Sequence, residues 1–323
     1  MKHWIEAARV RTLPLSVSGI IVGSFYAMSQ AMFNWNIVIF ALLTTLGLQI
    51  LSNFANDYGD GIKGTDNDDR VGPKRSIQKG TITPSQMKKA MVLMSVITLI
   101  FAVLLIYNAF KLETDYLLYS FIFLALGILA IASAIRYTVG TGAYGYRGYG
   151  DVFVFVFFGL VSTFGVYFMF SKEIDALLML PAAAIGFLSV GVLNLNNMRD
   201  EESDRKSGKN TVVVQKGGAW AKKYHYFLIV SAMVFVLVFA IIFDFSYRDP
   251  NPEKCNFDLY LFLIAYIPII MHLKRVANNK NPKLLDPELK KLALSTFFLA
   301  VLLALSIFYF FSDIFVNAFL GGR

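Results

Sequence analysis

The sequence predicts an all-α integral membrane protein with nine transmembrane helices. Of its 323 residues, 56% are hydrophobic and only 16% are charged, more apolar surface than a soluble domain of this length can bury. The apolar residues are gathered into stretches near or above the length that crosses a hydrocarbon core of about 30 Å. The Lys and Arg residues concentrate in every second connection between these stretches, as positive-inside topology requires.

Taken in order, the predicted spans are 13–33, 37–55, 91–110, 116–135, 152–170, 176–195, 226–245, 259–271 and 292–311. The eighth is the shortest. The opening Met1-Lys2-His3-Trp4 is too polar for the apolar part of a signal peptide, so 13–33 reads as a retained first helix. No soluble domain fits between the spans, and residues 1–323 are expected to form a single transmembrane domain. With nine spans, the N-terminus and the connections after even-numbered helices share one side, which holds 25 of the 30 Lys and Arg residues. That places the N-terminus and the long even loops in the cytoplasm of a cell inner-membrane, multi-pass protein. The net charge of +8 is thereby explained by topology, and no nucleic-acid partner is expected. Cys255 is the only cysteine, which excludes an internal disulfide or a cysteine-based metal site, and His3, His225 and His272 show no zinc spacing.

Two helix ends carry the polar chemistry. The second span ends in Asn53, Asn56, Asp57 and Asp60, spaced to stack on one helical face. The sixth ends in Asn196, Asp200 and Asp204, again on one face. Ionisable groups at membrane helix ends are costly, carboxylates at a helix C-terminus oppose its dipole, and like charges one turn apart repel. Each penalty disappears if the carboxylates hold a divalent cation, and oxygen-only ligands favour Mg²⁺ or Ca²⁺ over zinc.

Basic loops follow both clusters: Arg70, Lys74 and Arg75 after the first, Arg205, Lys206 and Lys209 after the second. Acid for a metal followed by base for phosphate suits a metal diphosphate, with Arg able to bind it bidentately and Lys acting as a point charge. The segment 57–69 lacks the Gly and Glu of an EF-hand loop, and no P-loop run occurs. A third loop, Arg136 to Asp151, is rich in Gly, Tyr and Arg. It is either a tight membrane connection or a place where Arg136, Tyr146 and Arg147 reach a phosphate or a phenolic substrate. Arg11, at the mouth of the first helix, is either a positive-inside anchor or a substrate contact. Phe153, Phe155, Phe157 and Phe158 crowd the fifth helix, and any subset lining a cavity could stabilise a carbocation.

At these clusters the chain resembles the UbiA superfamily of membrane prenyltransferases, and within it the 1,4-dihydroxy-2-naphthoate polyprenyltransferase branch. The resembling residues are Asn56-Asp57-Tyr58-Gly59-Asp60 running on through Gly64, Asp66, Arg70 and Gly72-Pro73-Lys74-Arg75. Arg11-Thr12-Leu13-Pro14, Tyr144 to Gly148, Asn196 to Asp200, Asp204 and Gly208 to Thr211 match as well. The broad superfamily pattern NDxxDxxxD expects a third Asp at position 64. Gly64 stands there, with Asp66 two residues on. That displacement is similar to the naphthoate branch and unlike the hydroxybenzoate branch.

The resemblance implies a helical bundle around a central cavity. Asp57, Asp60, Asp200 and Asp204 would be catalytic and hold Mg²⁺ with Asn53, Asn56, Asp66 and Asn196. Arg70, Lys74, Arg75, Arg147 and Lys209 would bind the diphosphate of a polyprenyl diphosphate, and Arg11, Arg136 and Tyr146 the acceptor. The implied reaction transfers the polyprenyl chain to 1,4-dihydroxy-2-naphthoate with decarboxylation, giving demethylmenaquinol, while the tail lies against membrane lipid. The alternatives are another aromatic prenyltransferase of the superfamily, such as one using 4-hydroxybenzoate, and a cation-coupled transporter. Transporters carry ionisable groups and helix breaks near the membrane midplane, whereas the acids here lie at helix ends.

Overall fold

Several of the apolar spans are only the middle portions of longer helices, and two polar extensions carry the acidic clusters. The structure, a computed structural model, describes residues 2–67, 71–247 and 257–320, with the side chains of 257 and 311–320 excepted. A short helix α1 (Lys2–Ala8) precedes α2 (Leu13–Ser29), α3 (Trp35–Ile62), α4 (Pro84–Phe110) and α5 (Leu117–Arg136). The fifth span joins α6 (Gly150–Val154), a π-helical stretch (Phe155–Val161) and α7 (Ser162–Ser171). Then come α8 (Met179–Lys206), the short α9 (Val212–Lys216), α10 (Gly218–Tyr247), α11 (Tyr266–Asn278), entered through a 3₁₀ stretch (Phe257–Ala265), and α12 (Asp286–Leu320). Among the described residues, nine helical segments are long and apolar enough to cross a membrane, one for each predicted span.

The bounds differ where polar residues stay helical. The sequence predicts 37–55 and 176–195, yet α3 runs to Ile62 and α8 to Lys206. Hydropathy drops at the first Asn and Asp, but those side chains find partners inside the protein and the helices continue. The first span stops earlier than expected, at Ser29, because Ala31 turns into the left-handed region with φ 60°. The third span, α4, begins at Pro84, seven residues ahead of its predicted start, under a reciprocal cap between Thr83 and Gln86.

α8 is the central element. It packs against α10, α12 and the π-helical stretch, while α2 lies between α12 and α7, and α3 pairs with α4. Small residues set the closest crossings, as membrane helices require. Gly19 of α2 faces Ser162, and Gly159 of the π-helical stretch lies against Gly186 of α8, with no room for a side chain at either glycine. Behind α8, two of the three histidines prove to be neighbours despite 47 residues of separation. His225 Nε2 is 2.9 Å from His272 Nε2, and His272 Nδ1 is 2.8 Å from Glu288, which ties α10, α11 and α12 together.

Gly59 fixes the loop over the site. A Cβ there would lie 2.6 Å from Thr138 Oγ1 and 2.8 Å from the Thr138 carbonyl carbon. Thr138 in turn donates to the Ala55 carbonyl at 2.8 Å and accepts from Lys63 Nζ at 2.7 Å. Gly59→Ala is therefore expected to push the loop after α5 away from α3. The cost expected from overpacking is about 1–3 kcal/mol, read as a lower thermal-unfolding midpoint in detergent.

Candidate active site

Asp60 is the hub. Its carboxylate accepts from Arg75 at 2.9 Å and from the Tyr146 hydroxyl at 2.8 Å, and Lys209 Nζ stands 3.7 Å away. Arg75 also reaches Asp66 at 3.2 Å and donates to the Asn56 carbonyl at 2.7 Å. Lys209 lies 3.8 Å from Asp204, so one lysine joins the end of α3 to the end of α8. The two helix-end clusters, 140 residues apart in sequence, thus form one site. Burial opposes the charge on Arg75, but Asp60, Asp66, Asp57 and Asp200 together hold its pKa above the usual arginine value. Burial, and then the charge of Asp60, push the Tyr146 phenol up, so it remains an O–H donor. Thr65 shares that phenol at 2.6 Å.

The stripe predicted on α3 divides its work. Asn56 and Asp60 line a cavity. Asp57 turns to the following loop and accepts from the Ser76 and Ile77 backbone amides at 3.1 and 3.2 Å, which folds the basic segment back over α3. Asn53 donates to the Ala8 carbonyl at 2.8 Å and so holds α1 in place. On α8, Asp200 is gripped by its neighbour Arg199, at 2.8 Å through Nε and 2.5 Å through the terminal nitrogen. Arg199 also donates to Asn196 at 2.9 Å and pairs with Asp286 at the start of α12.

Two contiguous cavities meet at this hub. The larger, of about 300 Å³, is mostly apolar, with Thr44, Thr45, Ser52 and Asn53 among its polar lining residues, and runs between α2, α3, α4, α5 and the fifth span. The smaller, of about 170 Å³, is more polar and carries a basic wall, with Arg9, Arg11, Lys209 and Lys290 among its lining. Gln49, Asn56, Tyr137, Val154, Phe158 and Leu193 line both. Burial, and then Asp151, push the Tyr137 phenol up. Phe153, Phe157 and Phe158 face the apolar cavity, as a carbocation site would use them, with Phe153 stacked 3.9 Å from Tyr144. Phe155 instead packs against Gly186 and Phe187.

Among the described residues no group of three or more His, Cys, Asp and Glu is already gathered as a metal cage. The carboxylates lean on Arg75, Lys209 and Arg199 instead. The donors nonetheless suit a hard divalent cation: they are oxygens only, from Asp57, Asp60, Asp66, Asp200, Asp204 and the Asn side chains. Asn56 Oδ1 is buried at the wall of both cavities without a hydrogen bond among the described residues. An oxygen so placed can serve a cation.

Other candidates fall elsewhere. Arg147 and Arg136 are exposed and line neither cavity. Lys74 is exposed beside Arg75. Arg70 lies outside the described residues. Sequence reasoning gave no role to Gln49, Arg199 or Lys290. Gln49 had a legible signal, a polar residue one turn before Asn53 in an apolar span. Lys290 had none, since a lysine in a basic loop does not say where it points.

A membrane helical bundle with two joined Asn/Asp helix ends above an apolar cavity defines a class, and the chain belongs to the UbiA prenyltransferase family, which it matches over residues 16–247. It is 39% identical to the 1,4-dihydroxy-2-naphthoate octaprenyltransferase of Haemophilus influenzae, covering 95% of this chain and 96% of the relative. It is 38% identical to the protein of the same name from Escherichia coli, covering 94% of each. Among solved structures, a UbiA homolog from Archaeoglobus fulgidus bound to GPP and Mg²⁺ shares the fold with a TM-score of 0.66, at 13% identity, over 96% of this chain and 99% of that one. A UbiA homolog from Aeropyrum pernix gives 0.65 at 16% identity, over 93% and 98%.

Proposed function

We propose that this chain transfers a polyprenyl group from a polyprenyl diphosphate to 1,4-dihydroxy-2-naphthoate, with loss of the acceptor carboxyl, to give demethylmenaquinol. The observation that carries the reading is the joining of the two Asp-bearing helix ends, through Asp60, Lys209 and Asp204, over an apolar cavity. The near-full-length relatives that carry this activity in their names support the choice of acceptor. The site opens toward the cytoplasm in this reading, on the side rich in Lys and Arg.

Asp57, Asp60, Asp66, Asp200 and Asp204, with Asn53, Asn56 and Asn196, would hold Mg²⁺. Bound there, Mg²⁺ supplies charge stabilisation to the diphosphate leaving group. Arg75 and Lys209, which lean on the carboxylates, then turn to the diphosphate oxygens, with Lys74 nearby. The C1–O bond of the donor breaks and the diphosphate leaves with the electron pair. Phe153, Phe157 and Phe158 exclude water from the allylic cation and offer it their ring faces. Arg11, with Arg9 and Lys290, presents positive charge to the acceptor carboxylate from the smaller cavity. The ring carbon that bears the carboxylate forms the new C–C bond, and the carboxylate leaves that same carbon as CO₂ with its bonding pair returned to the ring. Charge balances without an oxidant.

The test is a membrane assay with dihydroxynaphthoate, a polyprenyl diphosphate and Mg²⁺. A prenylated, decarboxylated naphthoquinol is expected by mass spectrometry, and EDTA is expected to abolish it until Mg²⁺ is restored. Product from 4-hydroxybenzoate but not from dihydroxynaphthoate would overturn the assignment of the acceptor, and a rate indifferent to EDTA would overturn the metal.

A further inference from the structure

A glutamine at the meeting of the two cavities has a buried oxygen that nothing satisfies and that the reaction scheme above does not use. Gln49, on α3, lines both cavities. Its Nε2 lies 3.2 Å from Thr12 Oγ1. Its Oε1 is buried with no hydrogen bond among the described residues. Turning the amide over does not relieve this. Thr12 gives its one hydroxyl hydrogen to the Arg9 carbonyl at 2.9 Å, so toward Gln49 it can only accept. Asn53 Nδ2 also approaches that hydroxyl, at 3.4 Å. The nitrogen of Gln49 is therefore held at Thr12, and its oxygen is left as an acceptor that lacks a donor. Buried amide oxygens in that state are uncommon and costly.

The chemistry of the ligands decides which of them supplies the donor. The oxygens of a diphosphate are acceptors and would repel an amide oxygen, and an isoprenoid tail carries no polar hydrogen. Gln49 lies eleven residues before Asp60 on the same helix, about 16 Å along its axis. A cation ligated by Asp60 at about 2 Å is beyond its reach. The aromatic acceptor is the remaining partner, and it brings phenolic O–H groups.

The surroundings favour one of those hydroxyls. Arg9 adopts the left-handed conformation, with φ 49°. The turn that follows sets Arg9, Arg11 and Thr12 together in the wall of the smaller cavity. One segment thus presents the cations that draw a carboxylate and the hydroxyl that orients Gln49. In dihydroxynaphthoate the hydroxyl next to the carboxylate bonds internally to it in solution. Cations that take the carboxylate free that hydroxyl for another acceptor. The oxygen of Gln49 sits at the wall, and the soft terminal torsion of the side chain lets it meet the hydroxyl.

We propose that Gln49 is a specificity-determining residue for the acceptor: its Oε1 accepts a hydrogen bond from the ring hydroxyl adjacent to the carboxylate. The inference rests on the prenyl-transfer reading above and adds the group that recognises the hydroxylated ring. When the carboxylate-bearing carbon attacks the allylic cation, positive charge spreads to that hydroxyl oxygen and its hydrogen bond strengthens. The proton stays on the hydroxyl. Loss of CO₂ returns the electron pair to the ring, so Gln49 holds a proton in place and moves none.

The experiment compares the purified wild-type chain with Gln49→Met, which keeps the length of the side chain and removes the acceptor, and with Gln49→Glu, which keeps an oxygen. Two inhibitors of dihydroxynaphthoate prenylation are titrated, 1-hydroxy-2-naphthoate and 2-naphthoate, which differ only in the hydroxyl. The ratio of their inhibition constants is the readout, because the intrinsic effect of the hydroxyl cancels between proteins. Gln49→Met is expected to reduce the preference for the hydroxylated inhibitor by about tenfold. It is also expected to lower kcat/KM for dihydroxynaphthoate by about thirtyfold while the KM for octaprenyl diphosphate stays within about threefold. Gln49→Glu is expected to keep the preference within about threefold. Equal weakening of both inhibitors shows Gln49 to be a brace for the Arg9–Thr12 turn and overturns the proposal. An unchanged ratio in Gln49→Met, or a ratio lost equally in Gln49→Glu, overturns it as well. Gln49→Leu repeats the comparison, and failure of both apolar variants to fold, judged by size exclusion, also overturns it. A wild-type chain that does not prenylate dihydroxynaphthoate sinks the prenyl-transfer reading itself, a different result from an active wild type whose variants keep the inhibitor ratio.

Discussion

Asp60→Asn is expected to lower prenyl transfer by about a thousandfold and to raise the Mg²⁺ concentration needed for half-maximal rate. The substitution keeps the shape of the side chain and removes its charge. In the structure that charge is shared by Arg75, Lys209 and Tyr146. Without it, Arg75 keeps its pair with Asp66 and Lys209 its contact with Asp204, but the two helix ends lose the group that joins them. A cation would lose its most central ligand, and the leaving diphosphate would lose the arrangement that stabilises it. Asp57→Asn is expected to act differently. Asp57 holds the Ser76 and Ile77 amides, so its loss should loosen the basic loop and lower stability together with rate. Both variants are expected to need more Mg²⁺, and thermal unfolding separates them, with the larger fall in midpoint in Asp57→Asn. An Asp60→Asn protein with unchanged rate and unchanged Mg²⁺ midpoint would contradict the central place given to Asp60.

Arg199→Met is expected to be the most destabilising single change in the site. The Arg199 side chain is 1% exposed and grips Asp200 with two nitrogens, while its third reaches Asp286. Removing it leaves Asp200 and Asp286 without the cation they share. Breaking a buried ion pair from one side costs about 3–5 kcal/mol, which corresponds to a midpoint lowered on the order of 10 °C. Arg199→Met combined with Asp200→Asn is expected to recover part of the stability and none of the activity, because the more buried of the two uncompensated charges is gone but the Asp200 carboxylate is gone with it. Recovery of activity in the double variant would show that Asp200 has no part in the chemistry.

The span pattern and the two acidic helix ends were legible because both break a strong regularity. Nine apolar runs stand out against polar loops, and Asn53, Asn56, Asp57 and Asp60 stand out against the apolar helix that carries them. The partner of each carboxylate was not legible. Arg75 reaches Asp60 and Asp66 because the loop folds back on amides held by Asp57, a tertiary event with no signature in spacing. The same limit explains Arg147 and Arg136, assigned to ligands by their place in a Gly- and Tyr-rich loop and found exposed. It also explains Lys290, which enters the smaller cavity from a helix start that reads as an ordinary basic loop.

The most direct measurement follows the acceptor's carboxyl carbon. Purified protein, given Mg²⁺, a polyprenyl diphosphate and dihydroxynaphthoate labelled in its carboxyl group, should release labelled CO₂ in step with prenylated naphthoquinol, one for one. Both should cease in Asp60→Asn and when EDTA is present. Prenylated product that retains the label, or labelled CO₂ without prenylated product, would contradict the reaction assigned to this site.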